Sequence, residues 1–152
     1  MNETSQLKVS ELQVSYRPAI GRKPQINSAL DAARELRKFF DEGTIALQEQ
    51  FIVMYVNHRN RVLGVYPMSK GGIAGTVVEI RLILSVGLKV AATGIIISHN
   101  HPSGNITPSS ADNELTKKIK SACQFLDFKL LDHIILVPAE DEYYSFADEG
   151  LI

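Results

Sequence analysis

The stretch GIIISHNHPSGNITPSSAD, Gly94–Asp112, decides how the rest of the chain is read. Its first five residues are wholly apolar, as expected of a short central strand covered on both faces. If that strand runs on a little, Ile95, Ile97, His99 and His101 share one face, because side chains alternate with period two. Two imidazoles then point the same way at the strand's carboxyl end, where open α/β sheets usually bind ligands. Pro102 and Gly104 turn the chain, and NITPSS leads into a helix from about Ser110 to Leu126.

The phase of that helix carries the next step. Leu115, Ile119, Ala122 and Leu126 form an apolar stripe, and Asp112 stands on it three residues before Leu115. A carboxylate on a core-facing stripe is costly unless it is paired or coordinated. Helical Cβ atoms tilt toward the N-terminus, so Asp112 leans back toward the histidine loop. Two imidazoles and a carboxylate suit Zn²⁺, and three protein ligands leave a fourth tetrahedral position for water, the pattern of a catalytic site. The same residues also fit a capping box, with Ser109 as N-cap and Asp112 at N3, which needs no metal. The two readings coexist if the capping aspartate also offers an oxygen to a metal.

Working outward, strands and helices alternate. Ser28 caps a helix to about Asp41, and FIVMYVN (51–57) and RVLGVYP (61–67) flank HRN as a β-hairpin. SKGGIAGT (69–76) lacks the lysine and serine or threonine spacing of a P-loop and reads as a flexible connection. A second helix spans roughly Val77 to Ala92. FKLLDHIILVP (128–138) is a further strand and EYYSF a short last one. Within the former, Asp132 and His133 read as a structural pair, with a supporting role at the metal as the alternative. Residues 1–25 form an N-terminal arm in which ELQVSY (11–16) alternates enough for a short edge strand. Residues 26–152 form one domain, with a mixed sheet layered between helices.

Composition narrows the function. The 152 residues suffice for one domain, and the net charge of −1 gives no global positive field to draw in nucleic acid. Direct DNA binding is thus not supported by charge, and Lys117, Lys118 and Lys120 read as the solvated face of a helix. Cys123 is the single cysteine, which rules out an internal disulfide or a cysteine-rich zinc site and suits a reducing cytoplasm. At apolar helical spacing it reads as a small buried hydrophobe rather than a nucleophile. The N-terminus shows no signal-peptide core, and residues 76–97 are interrupted by Glu79, Arg81 and Lys89, so no membrane span is expected.

HNHPSG followed by PSSAD resembles the JAMM (MPN) metalloprotease motif: His-x-His, seven residues, Ser-x-x-Asp. With LLDHIIL and the closing SFADEGLI, residues 26–152 resemble the RadC family of bacterial JAMM-domain proteins. The resemblance implies a three-layer α/β/α JAMM domain related to cytidine deaminases. It makes His99, His101 and Asp112 the ligands of one Zn²⁺ and Ser109 the residue that stabilises an oxyanion. It also implies a glutamate from an earlier strand as general acid/base. QEQF (48–51) resembles the family's Glu-x-Phe stretch, so Glu49 is chosen, with Glu42 and Glu79 as alternatives. SKGGIAGTVVEIRLIL keeps part of the family's arginine-containing pattern. Full-length members carry a helix-hairpin-helix DNA-binding region, for which the arm is too short.

The implied activity is zinc-assisted hydrolysis by a cytoplasmic metallopeptidase or isopeptidase, on an unknown peptide or protein substrate, in a family associated by name with DNA repair. A non-enzymatic zinc module recruiting DNA-repair or recombination partners is the alternative. A zinc nucleobase deaminase needs His-x-Glu and a later Pro-Cys-x-x-Cys, which one cysteine and Asn100-His101 do not supply. A two-metal nuclease needs more carboxylates than this site offers.

Overall fold

A computed structural model describes residues 9–71 and 77–152. Its elements run α1 (Ala29–Arg37), β1 (Gln50–Val56), β2 (Val62–Lys70), α2 (Ile80–Lys89), β3 (Gly94–Asn100), α3 (Ser110–Phe125), β4 (Lys129–Leu136) and β5 (Tyr143–Ser145). The five strands form one mixed sheet in the order β2-β1-β3-β4-β5. β1 pairs antiparallel with both β2 and β3, β3 runs parallel to β4 with α3 as the crossover, and β5 closes antiparallel on β4.

The period-two alternation of β1 divides the core. Ile52, Met54 and Val56 face α1, where they meet Ala32, Ala33 and Leu36. Phe51, Val53 and Tyr55 face the opposite layer and pack with Ile83 of α2 and Ile119 and Cys123 of α3. The result is the expected three-layer α/β/α arrangement with a mixed sheet. β1 and β3 are buried along their whole length, which explains their near-continuous apolar sequences.

One irregularity matters for the site. Ile95 pairs with Leu130 and Ile96 with Asp132, so Leu131 has no β3 partner of its own. Such a bulge shifts the alternation of the bulged strand by one. Leu131 and Asp132 consequently both lie on the α1 side, and His133 turns to the face that carries Ile97 and His99.

Several boundaries differ from expectation. Residues 11–16 form no strand; Leu12 and Val14 are 88% and 75% exposed. The described part of the arm meets the β2 edge at isolated points, through Tyr16 Oη donating to the Leu63 carbonyl, Val62 N–H donating to the Pro24 carbonyl, and a bridge between Gln25 and Arg61 just before β2. Without a continuous partner the alternating pattern has nothing to pair with. The first helix ends at Arg37 because the next amides bond three residues back, Phe39 to Leu36 and Phe40 to Arg37, which tightens the turn and still buries Phe40. The hairpin turn is as read: the Asn57 carboxamide accepts from the amides of Arg59 and Arg61, and Asn60 takes the left-handed conformation. The glycine-rich reading falls largely on residues 72–76, outside the described residues. Among the described residues, no helix is long and apolar enough to cross a membrane.

Candidate metal centre

His99 is the next-to-last residue of β3, opposite Phe51 of β1, whose ring lies stacked near it. His101 follows on the same face just past the strand, its amide donating to the Leu136 carbonyl at 2.8 Å. Asp112 sits in the first turn of α3. Its Oδ1 lies 3.1 Å from His99 Nε2 and its Oδ2 3.4 Å from His101 Nε2, while the two Nε2 atoms are 3.0 Å apart. One ligand atom from each of the three residues falls within 4.8 Å of the others, so the group could hold a metal ion.

The capping box is present as well. Ser109 Oγ accepts from the Asp112 amide at 3.1 Å, and the Ser109 amide donates to Asp112 Oδ2 at 2.7 Å. The cap and the cluster are therefore made by one carboxylate. The cap fixes its rotamer, and the remaining lone pairs face the imidazoles. The stripe of α3 that turns inward is Asp112, Thr116, Ile119 and Cys123; Leu126, expected on it, is the exposed C-cap.

The donor set suits a cation. His101 Nδ1 lies 2.6 Å from the Asn105 carbonyl, an acceptor only, so the neutral ring carries its proton there and leaves Nε2 bare toward the cluster. Two imidazole nitrogens and an anionic oxygen at this spacing match the chemistry of a divalent borderline ion. Electrostatics agree. The Asp112 carboxylate, as hydrogen-bond acceptor, raises the affinity of His101 for a proton against the opposing effect of burial. Burial pushes the Asp112 carboxyl up, yet the bonds from His101 and His99 override it and hold the group well below the usual carboxylate range.

Glu49 ends the loop before β1. It lines a cleft of about 520 Å³ with His101, Pro102, Ser103, Asn105 and Thr107, and its charge also raises His101. Of the alternatives, Glu42 is exposed on the preceding turn and Glu79 is the N-cap of α2, paired with Arg81 at 3.0 Å; neither lines this cleft. Ser109 is exposed at the start of α3, and the cap uses its oxygen as an acceptor, which leaves its hydroxyl hydrogen for another partner.

Sequence reasoning passed over Asn100 and Thr116 here, and gave His133 a supporting role at the metal only as the alternative. Asn100, between the two histidines, points to the other face and is fully buried. Its Oδ1 accepts from the Gln50 amide at 2.7 Å, and its Nδ2 donates to the carbonyls of Ile45 at 2.7 Å and Gln48 at 2.9 Å, tying down the loop that carries Glu49. His133 and Thr116, both buried, stand behind His99. Asp132 and His133 are not a side-chain pair, because neighbours along a strand point to opposite faces; the bulge decides which face each one takes. The Asp132 carboxylate accepts instead from the amides of His133 and Ala147 and from Ser145 Oγ, tying β4 to β5. Alternation around Asn100 was a usable signal; the bulge behind His133 has none in the sequence.

A family model for the RadC-like JAB domain matches residues 26–151. The chain belongs to the RadC family. Among curated proteins, a UPF0758 protein of Flavobacterium johnsoniae is 52% identical over 103 residues, covering 68% of this chain and 44% of that protein. One of Porphyromonas gingivalis is 33% identical over 144 residues, 95% of this chain and 63% of the relative. One of Aquifex aeolicus is 37% identical over 127 residues, 84% and 52% respectively. This RadC-family chain thus spans less than two thirds of the length of each of these relatives.

Proposed function

We propose that this RadC-family chain is a zinc-dependent hydrolase of the JAMM type, a metallopeptidase or isopeptidase that cleaves an amide bond in a peptide or protein. The observation that carries the reading is the convergence of His99 Nε2, His101 Nε2 and the Asp112 carboxylate in one cluster, with His101 lining the same cleft as Glu49. Zinc, when bound, supplies Lewis acidity and brings the pKa of water to about 7. Glu49 takes the proton of the attacking water and passes it to the leaving amine. Ser109 Oγ–H donates to the developing oxyanion from the mouth of α3. His99, His101 and Asp112 would hold the ion.

Two substitutions test the assignment. His101→Ala abolishes both bound zinc and hydrolysis of a peptide or isopeptide substrate. Glu49→Gln keeps zinc and lowers the rate by about 10²–10⁴. Full zinc occupancy in the His101→Ala protein would sink the ligand assignment. Unchanged turnover in Glu49→Gln would remove the general base.

A further inference from the structure

A hydrogen-bonded chain runs from the candidate metal centre into the core. His99 Nδ1 lies 2.8 Å from His133 Nε2, His133 Nδ1 lies 2.7 Å from Thr116 Oγ1, and Thr116 Oγ1 lies 2.7 Å from the Asp112 carbonyl. We propose that His133 and Thr116 are positioning residues for His99. Together they fix the proton of its ring on Nδ1 and turn the lone pair of Nε2 toward the cation. The proposal rests on the zinc-site reading above only for the identity of what Nε2 binds.

Counting hydrogens sets the polarity. A carbonyl oxygen only accepts, so the single hydroxyl hydrogen of Thr116 goes to Asp112, one helical turn back. The reverse polarity would set two acceptor oxygens against each other at 2.7 Å. Thr116 Oγ1 therefore receives its second bond from His133, which places the His133 proton on Nδ1. That ring is fully buried, stacked on Phe146 with centroids 4.6 Å apart and edge-on to Phe51. Such apolar surroundings favour a neutral imidazole with one proton. With that proton spent on Thr116, Nε2 is an acceptor, and His99 Nδ1 must donate to it. A histidine whose far nitrogen is held by an acceptor presents its near nitrogen to metal in one tautomer and one orientation.

The arrangement also explains why two unusual residues are buried together. Thr116 and Asp112 are four apart on α3, so the helix that supplies the carboxylate ligand also anchors the far end of the chain. His133 reaches the chain only because the bulge at Leu131 turns it toward His99.

The test combines zinc affinity with proton position. Affinity is read by competition with a chromophoric chelator for the full chain and for His133→Phe, His133→Gln and Thr116→Val. His133→Phe fills the space without an acceptor and weakens zinc binding about 10–100-fold, the usual cost of losing such a partner. His133→Gln, which can accept from His99 and donate to Thr116, restores most of that affinity; Thr116→Val falls between. Long-range ¹H–¹⁵N spectra of the metal-free wild-type chain, above the titration of the ring, show the His99 proton on Nδ1. Zinc binding by His133→Phe as tight as wild type overturns the proposal, as does a neutral His99 protonated on Nε2. Loss of zinc in His101→Ala with no loss in His133→Phe rejects the chain while keeping the zinc site. The Nδ1 tautomer in a wild-type protein that takes no zinc does the opposite.

Discussion

Ser109 and Asp112 bond each other twice, amide to carboxylate at 2.7 Å and amide to hydroxyl at 3.1 Å, while the same carboxylate faces His99 and His101. A helix cap and a ligand set therefore share one side chain. The free energy of the cap holds Asp112 in position before any ion arrives, so little of the binding energy is spent on ordering it.

The first prediction separates these two roles. Ser109→Ala loses about 1 kcal/mol of stability through the cap. It keeps its zinc and loses about 10²–10³ in rate through the missing oxyanion donor. Asp112→Asn can still accept from the Ser109 amide, so at a pH where His101 is neutral its unfolding midpoint stays close to wild type while its zinc affinity collapses. Denaturant unfolding in chelator, together with metal analysis, reads both.

Stability of the metal-free protein should depend on pH through the same group. His101 is raised above its ordinary value of 6.5, foremost by Asp112, so its contribution is complete below 6.5 and is lost as pH rises through the raised value. Asp112 is held below its ordinary 3.8, so its contribution is complete above 3.8 and is lost as pH falls through the lowered value. The pair therefore stabilises fully between those two ordinary values. Unfolding midpoints in chelator should show a plateau there, and Asp112→Asn should flatten it.

Asn100 links the metal side of β3 to the loop carrying Glu49. Asn100→Ala orphans the Gln50 amide and strips the Ile45 and Gln48 carbonyls of their donor, at about 1–3 kcal/mol for each group left unsatisfied. Zinc affinity should hold, since His99 and His101 point to the other face, whereas turnover should fall as Glu49 loses its support. A variant that loses zinc and keeps turnover would contradict this division.

Cys123 is fully buried between α3 and the sheet, and burial pushes its thiol up to about 11. The native chain should resist an aromatic disulfide reagent at about pH 8 and react only on unfolding. Rapid labelling of the folded protein would show that this part of the core opens readily.

Much of this protein is legible in its residues. The apolar run of β3, the alternation that puts His99 and His101 on one face, and the reach of Asp112 back toward them all follow from local periodicities. These depend on backbone geometry alone and survive in any context. Glu49, in the loop before β1, could be chosen only through a family resemblance, because nothing local ties a glutamate fifty residues upstream to a histidine. Tertiary structure alone decided the rest. Residues 11–16 formed no strand because no continuous edge accepted them. The inward stripe of α3 ran through Thr116 and Cys123 rather than Leu126 because the helix turns toward the metal face. The bulge at Leu131 decided which face each of Asp132 and His133 took, leaving one to brace β5 and the other behind His99. A bulge is a mismatch between two strands, so it belongs to their pairing and to neither sequence by itself.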